Sequence, residues 1–157
     1  MVPSRRYMQT GFCLPSLHNN QMGILGIFVD TSASIDQKDL DTFCSHINVI
    51  MRTLQPERLI VIYCDAEVPE NGVQEFFRGE VDLELLPEGG GGTDFVPPFE
   101  YIEQNRIDLK CAIYFTDLEC TSFPEQPSYP VYWIRYGCSF YAATPPFGKV
   151  IGFEHDN

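Results

Sequence analysis

The stretch ILGIFVDTSAS, residues 24–34, begins as a continuous apolar run and ends in a carboxylate followed by hydroxyls. A short run without polar alternation fits a central parallel strand buried on both faces. Asp30 then stands where that strand stops, and Ser32 and Ser34 are spaced so that both hydroxyls can face the same point as the carboxylate. In an open α/β sheet, ligands bind outside the carboxyl ends of the strands. Two distant pieces carry matching chemistry. Thr93-Asp94 follows four glycines at 89–92, and Thr116-Asp117 follows the apolar run 112–115. Asp30, Ser32, Ser34, Thr93 and Asp117 form an all-oxygen set suited to a hard cation such as Mg²⁺ or Mn²⁺. Asp94, Asp65 and Glu119 are supporting acids. Asp94 is placed to orient its loop, Asp65 ends a neighbouring strand, and Glu119 can add a carboxylate near the metal or face a partner.

Working outward, residues 36–54 read as a helix, because Leu40, Phe43, Ile47, Ile50, Met51 and Leu54 recur at helical spacing. Ser34 is placed to cap it, with Gln37 three residues on. Residues 59–64 read as a second buried strand, and Pro56 separates it from the helix. Residues 73–77 read as an edge strand, and 81–86, alternating apolar and acidic, as a half-exposed extended segment. Pro97-Pro98 open a short helix through 105. Further strands are expected at 111–115, 131–135 and 149–153. Strands alternating with helices predict an α/β fold: a doubly wound, mostly parallel, Rossmann-like sheet with helices on both faces. Residues 1–20 read as a tail or linker that Leu14 and Leu17 could anchor, and 21–157 as one domain.

With 157 residues and 44% hydrophobic content, the chain is large enough for a real core. Its 22 acids against 10 bases give a net charge of -12. That balance argues against nucleic acid and against anionic membranes, since both need a basic face. It suits a basic partner or a bound cation, although solubility alone also explains it. The six cysteines include no CxxC pair and the three histidines are scattered, which argues against a zinc cluster. Cys64 and Cys111 lie in or beside apolar runs and read as small hydrophobes. No signal peptide or run near twenty apolar residues is visible, so the expected setting is cytoplasmic.

Asp-x-Ser-x-Ser, then a distant Thr, then a distant Asp, resembles the metal-ion-dependent adhesion site (MIDAS) of von Willebrand factor A (VWA) domains. The stretches QPERLIVIYCDAEV (55–68), GGGGTDFVPPFEYI (89–102) and YFTD (114–117) are similar to one bacterial group of VWA-like domains. That group lies C-terminal to a metallopeptidase-type domain, and RRYMQTGFCLPSL (5–17) resembles the linker there. The resemblance covers about residues 5–153. It implies a metal-dependent protein–protein interaction module in which a carboxylate of the partner completes the metal shell. A MoxR-type AAA+ ATPase is the partner it suggests. Two departures stand out: Ala33 replaces the glycine common between the serines, and Leu118-Glu119 replace the glycine common after the last Asp. The second predicts a loop of altered shape.

Two other readings compete. A Mg²⁺-dependent phosphatase or nuclease could use acids at strand ends, but the phosphatase pattern wants a second Asp where Ser32 stands. No Gly-x-Ser-x-Gly elbow or His-Glu-x-x-His motif occurs, and His18, His46 and His155 fall outside the three loops. The expectation is therefore not an enzyme. A scaffold with a vestigial, metal-free site is the third reading.

Overall fold

A computed structural model describes residues 23–31, 36–69, 72–80, 92–136 and 142–153. Among them are six strands and two helices, in the order β1 (Ile24–Asp30), α1 (Gln37–Leu54), β2 (Arg58–Cys64), β3 (Val73–Phe77), α2 (Val96–Gln104), β4 (Leu109–Thr116), β5 (Val131–Tyr136) and β6 (Lys149–Phe153). They form one sheet with strand order β3-β2-β1-β4-β5-β6. All neighbours are parallel except β3, which runs antiparallel to β2 at the edge. The mostly parallel α/β sheet and the edge position of β3 are as the sequence predicts.

The order turns back at β1, which is flanked by β2 on one side and β4 on the other. Crossovers of one hand that leave a strand in opposite directions place their helices on opposite faces. The two cores follow that rule. Phe43, Ile47, Ile50 and Met51 of α1 pack on Leu25, Ile27, Val29, Leu59, Val61, Ile113 and Phe115. Phe99 and Ile102 of α2 pack on the other face, with Phe28, Ile60, Ile62, Tyr114 and Trp133. The second core is aromatic. Trp133 stacks on Tyr114 at 5.2 Å between centroids, and Phe95 meets both rings edge-on. Gly148, at φ +81, passes so close to β5 that a Cβ would lie 2.6 Å from the Val131 carbonyl.

Three details differ from the sequence reading. The cap of α1 is Asp36, not Ser34. The Asp36 carboxylate accepts from the Asp39 amide at 2.9 Å while Asp39 accepts from the Asp36 amide at 3.3 Å. A carboxylate serves well there, because the helix dipole favours negative charge at an N-terminus. Helix α2 begins at Val96, with Pro97 and Pro98 inside its first turn, because Phe95 already holds a helical backbone conformation. No helix joins β4 to β5: residues 117–130 make that connection without regular structure. The expected tail at 1–20, with Leu14 and Leu17, and the extended segment at 81–86 lie outside the described residues.

Candidate functional site

The reversal of strand order opens the sheet's crevice between the carboxyl ends of β1 and β4. Asp30 is the last residue of β1 and Thr116 the last of β4. Register aligns Val29 with Phe115, so the next residues along, Asp30 and Thr116, are neighbours on the α2 face. The Thr116 hydroxyl donates to Asp30 Oδ2 at 2.6 Å and accepts from the Leu118 amide at 3.0 Å. Both side chains are fully shielded from solvent. The chain leaves β1 along β2, with the Thr31 amide bonded to the Cys64 carbonyl at 3.0 Å. Ser32 and Ser34 lie outside the described residues.

The loop carrying Thr93 and Asp94 is fastened on two sides. The Asp94 amide donates to the Asp65 carbonyl at 2.9 Å, and the Cys64 thiol lies between the Asp65 carbonyl at 3.3 Å and the Asp94 carbonyl at 3.4 Å, with one proton to donate. From the β4 side, the Cys120 thiol donates to the Thr93 carbonyl at 3.2 Å, and the Phe95 amide to the Ser122 carbonyl at 3.3 Å. Asp94 Oδ1 accepts from the Val96 amide and from the Ser122 hydroxyl, both at 2.9 Å. That carboxylate therefore orients its own loop. Among the described residues, Asp30 and Thr116 thus close β1 and β4 at the crevice, and the Thr93-Asp94 loop bridges the end of β2 and the segment that follows β4.

Asp117 is nearly buried, and its Oδ1 accepts from the Glu119 amide at 3.1 Å. Leu118 between them has φ +62, a backbone region that favours glycine, and its side chain is buried. The loop therefore adopts a glycine-like backbone with leucine in place, and its extra side chain joins the aromatic core. Its carbonyl accepts from the Ala143 amide at 2.7 Å. Glu119 is exposed. Asp65 sits one strand over from Asp30, half-buried, with its Oδ1 taking the Glu67 amide at 3.1 Å.

The site is electronegative. Burial pushes the Cys64 thiol well above its ordinary range, and the charges of Asp65, Asp30 and Asp94 push it further. Burial does the same to the Tyr114 hydroxyl, reinforced by Cys64, Asp30 and Cys120. Cys64 thus remains a protonated thiol, not a soft thiolate ligand. Among the described residues, no group of three or more His, Cys, Asp or Glu side chains is placed to hold a metal. The oxygens present, from carboxylates and hydroxyls, fit a hard cation and not a soft one.

The sequence reading missed the parts played by Thr116, Cys64, Cys120 and Ser122. Strand register was the available signal for Thr116, since the last residue of β4 faces the last of β1. The thiols had no comparable signal.

The pattern of the VWA-like domain family (DUF2201) matches residues 25–154. An uncharacterized protein from Thermotoga maritima is 33% identical over 116 residues, which cover 73% of this chain and 27% of that relative. The chain thus spans about a quarter of the length of the curated relative it matches. No solved structure matches.

Proposed function

The chain belongs to the VWA-like domain family (DUF2201), and from that premise we propose that it is a divalent-metal-dependent protein–protein interaction module. The observation that carries this reading is the meeting of Asp30, the Thr93-Asp94 loop and the Asp117 loop at the switch point of the sheet. Mg²⁺ or Mn²⁺ would be held by Asp30, Ser32, Ser34, Thr93 and Asp117. Bound there, the ion supplies a positive charge that a partner's carboxylate can join. The chain's own residues do the rest. Thr116 fixes the orientation of the Asp30 carboxylate, and Asp94 fixes the loop that presents Thr93.

The partner in this reading is a protein that offers a carboxylate, with a MoxR-type AAA+ ATPase as the candidate. The module works as part of a larger protein, in line with the length of its relative. Its role is binding, not turnover.

Calorimetric titration of Mg²⁺ and Mn²⁺ into metal-free protein tests it, beside Asp30→Ala and Thr93→Ala. Saturable one-site binding, lost with Asp30→Ala and weakened with Thr93→Ala while both variants keep the wild-type circular dichroism spectrum, is the expected result. Equal binding by all three proteins would refute the assignment of the ligands.

A further inference from the structure

Two thiols take part in holding the Thr93-Asp94 loop. In helical geometry the carbonyl of residue i accepts from the amide of residue i+4. The first carbonyl paired in this way in α2 is that of its cap, Phe95, so those of Thr93 and Asp94 lie before the helix and take their donors elsewhere. Both carbonyls sit beside a buried core, where an unpaired backbone oxygen is costly. The Cys120 thiol donates to the first at 3.2 Å, and the Cys64 thiol shares its one proton between the second at 3.4 Å and the Asp65 carbonyl at 3.3 Å. Cys120 also accepts from the Ser122 amide at 3.3 Å, which fixes its own direction. Both thiols are free, and the fully buried Tyr114 hydroxyl lies close enough to feel both.

We propose that Cys64 and Cys120 are positioning residues of the candidate metal site: their thiols supply donors to loop carbonyls that lie ahead of α2 and fix the loop that presents Thr93. The inference rests on the metal-site reading above. Groups that orient ligands in this way commonly change metal affinity by tenfold or more.

The test uses the full chain as wild type, Cys120→Ala, Cys120→Ser, Cys64→Ala and, as a control, Cys111→Ala, whose thiol is buried in the other core. Two quantities are read: Mn²⁺ affinity by electron paramagnetic resonance, and hydrogen exchange of the Asp94 amide in metal-free protein. Cys120→Ala is expected to weaken Mn²⁺ binding about tenfold and to speed Asp94 exchange. Cys120→Ser keeps a donor and recovers most of both. Cys64→Ala acts in the same direction as Cys120→Ala, and Cys111→Ala leaves both readings near wild type. Unchanged affinity and exchange in Cys120→Ala would overturn the proposal, whatever Cys64→Ala does to folding. Should wild type itself fail to bind Mn²⁺, the metal reading falls, and the exchange rates alone decide whether the thiols hold the loop.

Discussion

Leu118 offers a test of the site's geometry that needs no ligand. Its backbone lies at φ +62, where an L-residue with a Cβ costs about 1–2 kcal/mol. Its side chain is 1% exposed and packs in the aromatic core. Truncation to alanine removes the buried methyl groups and keeps the strained Cβ, so it costs about 3 kcal/mol. Truncation to glycine removes the same packing and also the strain. Glycine loses somewhat more backbone entropy on folding, which offsets part of that relief. The net expectation is about 2 kcal/mol for Leu118→Gly, less than for Leu118→Ala. For a domain of this size each kcal/mol corresponds to about 2–4 °C in Tm. Leu118→Ala should melt roughly 9 °C below wild type and Leu118→Gly roughly 6 °C below it. At ordinary helix or strand positions the order is reversed, with glycine the worse replacement. Urea unfolding followed by circular dichroism gives the two stabilities directly. An alanine variant as stable as the glycine variant, or more so, would refute the left-handed backbone at Leu118 and with it the glycine-like shape of the Asp117 loop.

Thr116→Val removes the hydroxyl that donates to Asp30 and accepts from the Leu118 amide, leaving two buried polar groups short of a partner. A loss of about 2–3 kcal/mol in urea unfolding is expected, and Thr116→Ser should recover most of it. Alkaline pH should destabilise the protein. Burial raises Cys111 from 9.0 to about 12, and burial with the Glu103 charge raises Tyr129 from 10.0 to about 12. The folded state holds these protons after the unfolded state has released them. Stability is therefore full below pH 9 and falls between pH 9 and 12, by about 1.4 kcal/mol per pH unit for each such group. Cys64, also pushed up by burial, keeps the onset near pH 9, so Cys111→Ala should make the fall above pH 9 shallower by about 1.4 kcal/mol per pH unit, and an unchanged slope would show that Cys111 does not contribute.

The parts of the fold visible in the sequence were those with continuous apolar runs. Residues 24–29, 59–64 and 111–115 read as buried strands because nothing polar interrupts them, and the observed strands extend each by only one to three residues. Strand β4 begins earlier than its apolar run because Lys110 is exposed where its neighbours are buried. That single charge hid the start of the strand. The cap of α1 was misplaced for a related reason. Ser34 and Asp36 are both good caps, and only the reciprocal bond from Asp39 distinguishes them. At the site, the carboxylates were legible because they end strands, whereas the thiols were not. Cysteine is common in cores as a small hydrophobe, so its type says nothing about a carbonyl contact many residues away.

Asp30 raises a question that the fold alone does not answer, since one fold serves many functions. Its carboxylate is shielded from water at the end of the central strand, and one of its oxygens is bonded to a neutral hydroxyl. Asp65 and Asp94 lie near enough that all three acids act together on Cys64. Like charges gathered in a poorly solvated crevice raise one another's energy. A divalent cation relieves this by attracting every member at once, whereas a proton relieves only one. The two remedies differ in one observable. A cation's stabilisation grows with its free concentration and disappears with chelator, whereas protonation responds to pH alone. A Tm that rises with Mg²⁺ at fixed pH, and does so less in Asp30→Asn, would assign the crevice to a cation. A Tm indifferent to Mg²⁺ and rising as pH falls would assign it to a proton and favour a scaffold that binds without metal.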